Sequence, residues 1–368
     1  MNQLNLTVFC GGQSAEHDIS LLSASNVLSG LDSQKYQVCV IYITRTGEWL
    51  VNQAYETASG PSQLSHLIAQ TNTVLVTPRM GAKGAPWMML DETRRLIPCD
   101  LVLPMLHGPR GEDGRLQGLL ELLQLPYVGC DTLSCAICMD KDFSKQLVKT
   151  LGIATPRWMT IFRQTYDRYA VEKAVQRFSY PCYVKPANMG SSVGITKVKS
   201  KETLQEAIDL AFQYDDKILI EQECKGREIE CAILGHHKAV ASLPGEVIPL
   251  KEFYDYKSKY IDDNASNLVV PAKLSKEEIE AVQSAALRIY QTLNCSGMAR
   301  VDFFLTSEGV FYFNEINTIP GFTNISLYPQ CWNACGMPLN KLLDELIELA
   351  KKRWVRPYGD AVLPIHLT

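Results

Sequence analysis

The sequence predicts a multidomain protein of the α/β and α+β classes, an α/β unit followed by two smaller mixed units. Three observations carry this. The chain has 368 residues, more than one domain normally holds. Residues 4–31 read as strand, glycine-rich turn and helix, and residues 298–316 read as two apolar strands that carry an unusual set of polar residues. With 46% hydrophobic and 21% charged residues the chain has the make-up of a folded protein rather than a disordered one. Its net charge is −4 and its densest basic run is only Lys351-Lys352-Arg353, so no nucleic-acid partner is expected.

No apolar run reaches the roughly 18 to 20 residues needed to cross a bilayer, and Met1-Asn2-Gln3-Leu4-Asn5 carries no basic leader. No membrane association and a cytoplasmic location are therefore expected. The 12 cysteines are scattered, and Cys10, Cys39, Cys182 and Cys231 lie inside apolar runs as small buried hydrophobes. Cys135 and Cys138 have no second pair at zinc-finger spacing, so neither a metal nor a disulfide framework is expected of them.

The first unit opens with a strand at 4–10, the turn Gly11-Gly12-Gln13-Ser14-Ala15-Glu16-His17 and a helix at 20–31. A strand at 36–43, a buried-type strand at 101–105 and a helix at 115–123 complete it. Residues 53–98 are Gly-, Ser-, Thr- and Pro-rich with weak periodicity and read as an insertion or a long connection. A helix at 133–151, ended by Gly152, leads to a second unit with strands at 158–162, 181–185, 194–198 and 218–222 and helices at 168–178 and 201–214. The third has strands at 229–234 and 239–243, a polar loop at 253–267, a helix at 275–293, strands at 298–305 and 310–316, and a helix at 339–353.

Period-two alternation puts Arg300 and Asp302 on one strand face and Glu315 and Asn317 on one face of the next. A short hairpin pairs Arg300 with Glu315 and Asp302 with Phe313, which leaves all four polar groups on one side. Two carboxylates, an amide oxygen and a guanidinium suit Mg²⁺ with a phosphate group. Upstream, Lys185 ends an apolar run and opens Pro186-Ala187-Asn188-Met189-Gly190-Ser191-Ser192-Val193-Gly194. Such a small-residue loop lets backbone N–H groups approach phosphate oxygens while Lys185 neutralises their charge. Glu221 closes a buried-type strand as a candidate acceptor for a nucleotide. Glu16 and His107 follow strands where α/β sheets form ligand crevices, and residues 321–327 offer N–H groups to a carboxylate.

Together these residues resemble the ATP-grasp superfamily and, within it, the D-alanine:D-alanine ligase family. The motifs that carry the resemblance are Gly11 to His17, His107-Gly108 with Gly111-Glu112-Asp113-Gly114, Met139-Asp140-Lys141, Lys185 to Gly194, Gly226-Arg227-Glu228, Tyr254 to Tyr260, and Gly297 to Leu327. The resemblance implies an ATP-grasp fold preceded by a Rossmann-like domain. Residues 1–129 would bind a first D-alanine, 130–222 form the central subdomain, and 223–368 carry the metal site and a lid at 251–270.

It implies that Lys141, Lys185, Ser192, Glu221, Glu228 and Lys259 hold ATP, and that Asp302, Glu315 and Asn317 bind two Mg²⁺ or Mn²⁺ ions. Glu16 would take the ammonium of the first D-alanine beside His107, with Ser191 and Tyr260 as hydrogen-bonding partners of Glu16. Arg300 and the Gly321 N–H would stabilise the oxyanion, while Ser326 and the Leu327 N–H would hold the second carboxylate. The implied reaction joins two D-alanine molecules through a D-alanyl phosphate for peptidoglycan synthesis, in a homodimer, and it leaves room for a monovalent cation. Glu223 and Cys224 depart from the aromatic or apolar residues that many relatives carry beside the adenine. Two rival readings are a ligase that uses D-lactate or D-serine as the second substrate and a module that senses ATP without ligation. The Lys259-Tyr260 pair favours an amine nucleophile over D-lactate.

Overall fold

The computed structural model describes residues 3–52, 64–69, 73–82, 84–176, 178–249 and 266–354. The first sheet contains β1 (Leu4–Gly11), β2 (Tyr36–Ile43), β3 (Trp49–Asn52), β4 (Thr73–Pro78), β5 (Trp87–Met89), β6 (Leu96–Ile97) and β7 (Leu101–Pro104), in the order β6-β5-β4-β3-β2-β1-β7. Only β2, β1 and β7 are parallel. Helices α1 (His17–Gly30), α2 (Leu64–Leu67) and α3 (Arg115–Leu122) accompany it. The stretch expected to be an insertion thus supplies three antiparallel strands, β4 to β6, that widen the sheet. At six, three and two residues they are too short to show a period in the sequence.

The predicted helix over 133–151 is in fact two, α4 (Thr132–Met139) and α5 (Lys141–Thr150). Asp140 breaks it by leaving helical geometry at ψ 104 and accepting hydrogen bonds from Asp142 N and Phe143 N, which makes it the N-cap of α5. Lys141 therefore stands at the start of a helix, not in the middle of one.

The second sheet is antiparallel and built from β8 (Trp158–Phe162), β9 (Cys182–Pro186), β10 (Thr196–Val198) and β11 (Lys217–Gln222) in the order β10-β9-β11-β8, with α6 (Arg168–Val175) and α7 (Leu204–Ala211). The third contains β12 (Arg227–Gly235), β13 (Val240–Ala241), β14 (Gly245–Pro249), β15 (Ser266–Val269), β16 (Gly297–Leu305) and β17 (Phe311–Asn317). Its order is β15-β14-β12-β16-β17, and β13 pairs with β12. Helix α8 (Lys276–Thr292) is closed at its start by a reciprocal Ser275–Glu278 capping box. Two further helices, α9 (Leu327–Ala334) and α10 (Leu339–Trp354), end the described chain.

Leu342, Leu343, Leu346 and Ile347 of α10 share one buried cluster with Leu6, Val8, Leu101 and Leu103 of the first sheet and Leu234 and Met298 of the third. The last helix thus cements the first sheet to the third. Cys10, Cys39, Cys182 and Cys231 are buried as expected. Among the described residues no helix is long and apolar enough to cross a membrane.

Candidate active site

The site begins at the carboxyl ends of β1 and β7, where Met105 N bonds to Phe9 O at 3.0 Å and the loops after both strands meet. Glu16 stands immediately before α1, its side chain making no capping hydrogen bond, and is buried to 7% exposure. It accepts a hydrogen bond from Ser191 Oγ, across 175 residues of chain. Two glycines permit this burial. A Cβ at Gly108 would lie 2.5 Å from Glu16 Oε2, and one at Gly190 would lie 2.8 Å from it. The glycine-rich turn, the His107 loop and the Ser191 loop thus converge on one carboxylate.

His107 is buried, and burial pushes its imidazole down to about 4. It is neutral at pH 7. Because Nδ1 faces the Ile319 carbonyl at 2.9 Å it must carry the proton, which leaves Nε2 to accept from Ser23 Oγ at 3.0 Å. Ser23 Oγ in turn accepts from Phe322 N at 3.1 Å. His107 therefore anchors the loop on either side of Gly321. In that loop Ser326 Oγ meets Thr323 N at 3.0 Å and Thr323 Oγ1 at 2.8 Å, and Ser326 stands immediately before α9, whose first residue is Leu327. The helix start here, intermediate in exposure at Ser326 and buried from Leu327, presents the Leu327 and Tyr328 N–H groups as candidates to hold an anion.

A cavity of about 420 Å³ opens between the second and third sheets. Its walls include Lys141, Lys185, Ser191, Ser192, Glu221, Glu228 and Glu315, which the sequence singles out from five separate segments. Glu223 and Cys224 line it too, so the departure from the family pattern falls in the cavity wall. The volume suits a ligand of nucleotide size. Lys141 Nζ donates to Met189 O at 2.6 Å and pairs with Glu315 at 3.2 Å, which ties the Ser191 loop to β17. Of the lid expected at 251–270, residues 251–265, with Lys259 and Tyr260, lie outside the described residues, whereas Ser266–Val269 form strand β15 paired with β14.

The hairpin register differs from the expected one. Arg300 faces Asn317, not Glu315, and Asp302 faces Glu315, not Phe313. The turn sets Phe303 opposite Phe313, and a bulge at the next step inserts Asn314 before the ladder resumes. The bulge lets two consecutive residues, Asn314 and Glu315, both line the cavity where a regular strand would send one to each face. All four polar residues still share a side, as cross-strand partners do.

Arg300 grips Asp302 with two hydrogen bonds of 2.8 and 2.7 Å and pairs with Glu230 at 2.7 Å. Asn317 Nδ2 donates to Asp302 at 3.0 Å. Two facing carboxylates with an adjacent amide fit a hard cation that shares oxygens with a phosphate. Among the described residues no group of three or more His, Cys, Asp or Glu forms an all-protein cage, so the remaining ligands of such an ion must come from its substrate or water.

The residue-level reading passed over two buried groups. Glu112 lines a narrow recess with Lys141, Glu315 and Asn317. Burial, and then the nearby Glu16 charge, push its carboxyl up to about 8. Lys145 is wholly buried and pairs with Glu221 at 2.9 Å. Glu112 stood inside a quoted glycine-rich motif with no partner to give it meaning. Lys145 had a usable signal, a lysine four residues after Lys141 and therefore on the same face of α5.

Two antiparallel sheets enclosing a lysine-lined cavity, with an acidic hairpin at its edge, make the second half of the chain an ATP-grasp fold, preceded by its own α/β domain. Family models described as "D-ala D-ala ligase N-terminus" and "D-ala D-ala ligase C-terminus" match residues 5–130 and 147–348. The chain belongs to the D-alanine–D-alanine ligase family. It is 44% identical to the D-alanine–D-alanine ligase of Thermoanaerobacter sp. (strain X514), over 95% of this chain and 97% of the relative. The solved D-alanine-D-alanine ligase of Coxiella burnetii superimposes with a TM-score of 0.84 at 39% identity, covering 96% of this chain and 95% of that one. The VanG D-Ala:D-Ser ligase of Enterococcus faecalis also gives 0.84, at 38% identity, covering 95% and 100%.

Proposed function

We propose that the chain is an ATP-dependent ligase that joins two D-alanine molecules into D-alanyl-D-alanine for peptidoglycan synthesis. The observation that supports this reading is the hydrogen bond from Ser191, in the wall of the lysine-lined cavity, to the buried Glu16, a carboxylate suited to an amino-acid ammonium. In this reading residues 1–129 bind the first D-alanine, 130–222 form the central subdomain and 223–368 the third. The protein is a cytoplasmic homodimer.

The first D-alanine binds by its ammonium to Glu16, beside the loop that His107 anchors. Lys141, Lys185, Ser192, Glu221, Glu228 and Lys259 position ATP. A carboxylate oxygen of D-alanine attacks the γ-phosphorus, the bond to the β-phosphate oxygen breaks, and D-alanyl phosphate and ADP result. The amine of the second D-alanine, held by its carboxylate at Ser326 and the Leu327 N–H, then attacks the carbonyl and loses a proton, and phosphate departs. Arg300 and the Gly321 N–H stabilise the negative oxygen of that step, and the Ser191–Glu16–Tyr260 set closes the site against water. Asp302, Glu315 and Asn317 would hold two Mg²⁺ or Mn²⁺ ions, which when bound supply charge neutralisation to the phosphates.

The second reading, D-serine as the nucleophile, has the VanG ligase in its favour. One assay tests both: ADP release by the purified protein with Mg-ATP and D-alanine, L-alanine, or D-alanine plus D-serine, with products identified by mass. D-alanine-dependent ADP with D-alanyl-D-alanine as product is the expected result. A dominant D-alanyl-D-serine product establishes the second reading. No D-alanine-dependent ADP removes both.

A further inference from the structure

The Glu221 carboxylate has more cationic partners than its neutralisation requires. Glu221, at 3% exposure on β11, receives Lys185 Nζ on Oε1 at 2.6 Å and meets Lys145 at Oε2 at 2.9 Å. Lys145 has no exposed surface. It also meets the Phe313 carbonyl at 3.5 Å and the Phe313 ring, 5.7 Å to the centroid, and feels the more distant charges of Lys185 and Glu315. One buried carboxylate is thus bracketed by two buried ammonium groups.

A single lysine would neutralise Glu221. The second leaves the triad with one surplus positive charge, an expensive state in a desolvated site unless an anion completes it. The two lysines differ in what they can reach. Lys185 lines the cavity and can turn toward a ligand, whereas Lys145 stands behind Glu221 and does not line the cavity. If Lys185 leaves for an incoming phosphate and no other cation remains, Glu221 becomes a buried, uncompensated charge or takes up a proton. A protonated Glu221 would be a poorer acceptor for the amino group of a purine.

On the reading of this cavity as the ATP site, we infer that Lys145 is a positioning residue, the resident counter-charge of Glu221 that frees Lys185 for the nucleotide phosphates. The charges agree. Burial works to raise the Glu221 carboxyl, but Lys145 first and then Lys185 overcome it and hold it below the usual carboxylate range. Burial also lowers the Lys145 ammonium, against the pull of Glu221, so each member of the pair keeps the other ionised.

The test is a double-mutant cycle read by calorimetric binding of Mg²⁺ with the non-hydrolysable analogue adenylyl imidodiphosphate. The proteins are the native chain, Lys145→Met, Glu221→Gln and the double variant. Lys145→Met is expected to weaken nucleotide binding at least about tenfold in the native background, because Lys185 is then retained by Glu221. In the Glu221→Gln background, where no charge needs a partner, the same change is expected to cost less than about twofold. Equal weakening in both backgrounds, or none in the native one, overturns the inference. If Lys145→Met alone fails to fold, a double variant that folds and binds like Glu221→Gln supports it, and a double variant that also fails to fold overturns it. A native protein that binds no nucleotide overturns the ATP reading itself, and this inference with it; binding without coupling overturns this inference alone.

Discussion

Arg300 shows how structure can fix one side chain for the chemistry proposed of it. It is locked by Asp302 on its own strand and by Glu230 on the neighbouring β12, so its planar head is oriented before any substrate arrives. A preorganised donor of this kind stabilises a developing oxyanion, and its loss costs about 10² to 10³ in rate. Arg300→Ala is therefore expected to lower kcat by at least that factor while the protein still unfolds cooperatively. A near-normal kcat would remove Arg300 from the mechanism. His107 contributes at the same scale through its neutral, buried ring. Its ordinary value is 6.5 and in the fold it is about 4, so between those values the unfolded chain binds a proton that the folded one refuses. Stability from this residue is complete above 6.5 and is lost as pH falls through about 4. The loss amounts to roughly 3 kcal/mol, at about 1.4 kcal/mol per pH unit. Urea denaturation at pH 7 and pH 4 should show a stability loss smaller by up to about that amount in His107→Gln. An identical loss in both proteins would refute the assignment.

At the level of elements, the break between α4 and α5 decides where Lys141 points. Asp140 caps α5 and also binds Lys217 at 2.9 and 3.0 Å, while Lys217 keeps Asp142 at 2.8 Å as a second partner. Asp140→Ala should cost about 2 kcal/mol in urea denaturation, the cap contributing about 1 of it, and Asp140→Asn, which can still cap, should recover that half. Equal losses in the two variants would deny the cap. This break was not legible in the sequence because the apolar spacing runs on through Asp140, and only the local hydrogen bonds reveal the stop. The hairpin at β16 and β17 was legible in its composition but not in its register. The turn shifts the pairing by one residue and the bulge by one more, and neither leaves a trace in an alternating pattern, so the sequence pairs Arg300 with Glu315 where the structure pairs it with Asn317. Lys141, Lys185, Glu221 and Glu315 could be found because each ends or interrupts an apolar run. Lys145 and Glu112 meet their partners only through the tertiary fold.

The whole molecule brings three sheets to one place. The first presents Glu16 and His107, the second Lys185 and Glu221, and the third Arg300, Asp302 and Glu315, and no two of these sheets would make the site alone. The account stands on transfer of phosphate from ATP to the carboxylate of the first D-alanine inside that arrangement. The most direct measurement follows oxygen: D-alanine labelled with ¹⁸O in its carboxylate is turned over with Mg-ATP, and the released inorganic phosphate is weighed by mass spectrometry. One labelled oxygen in the phosphate for each peptide bond formed is the predicted result. Peptide formation with unlabelled phosphate would contradict it.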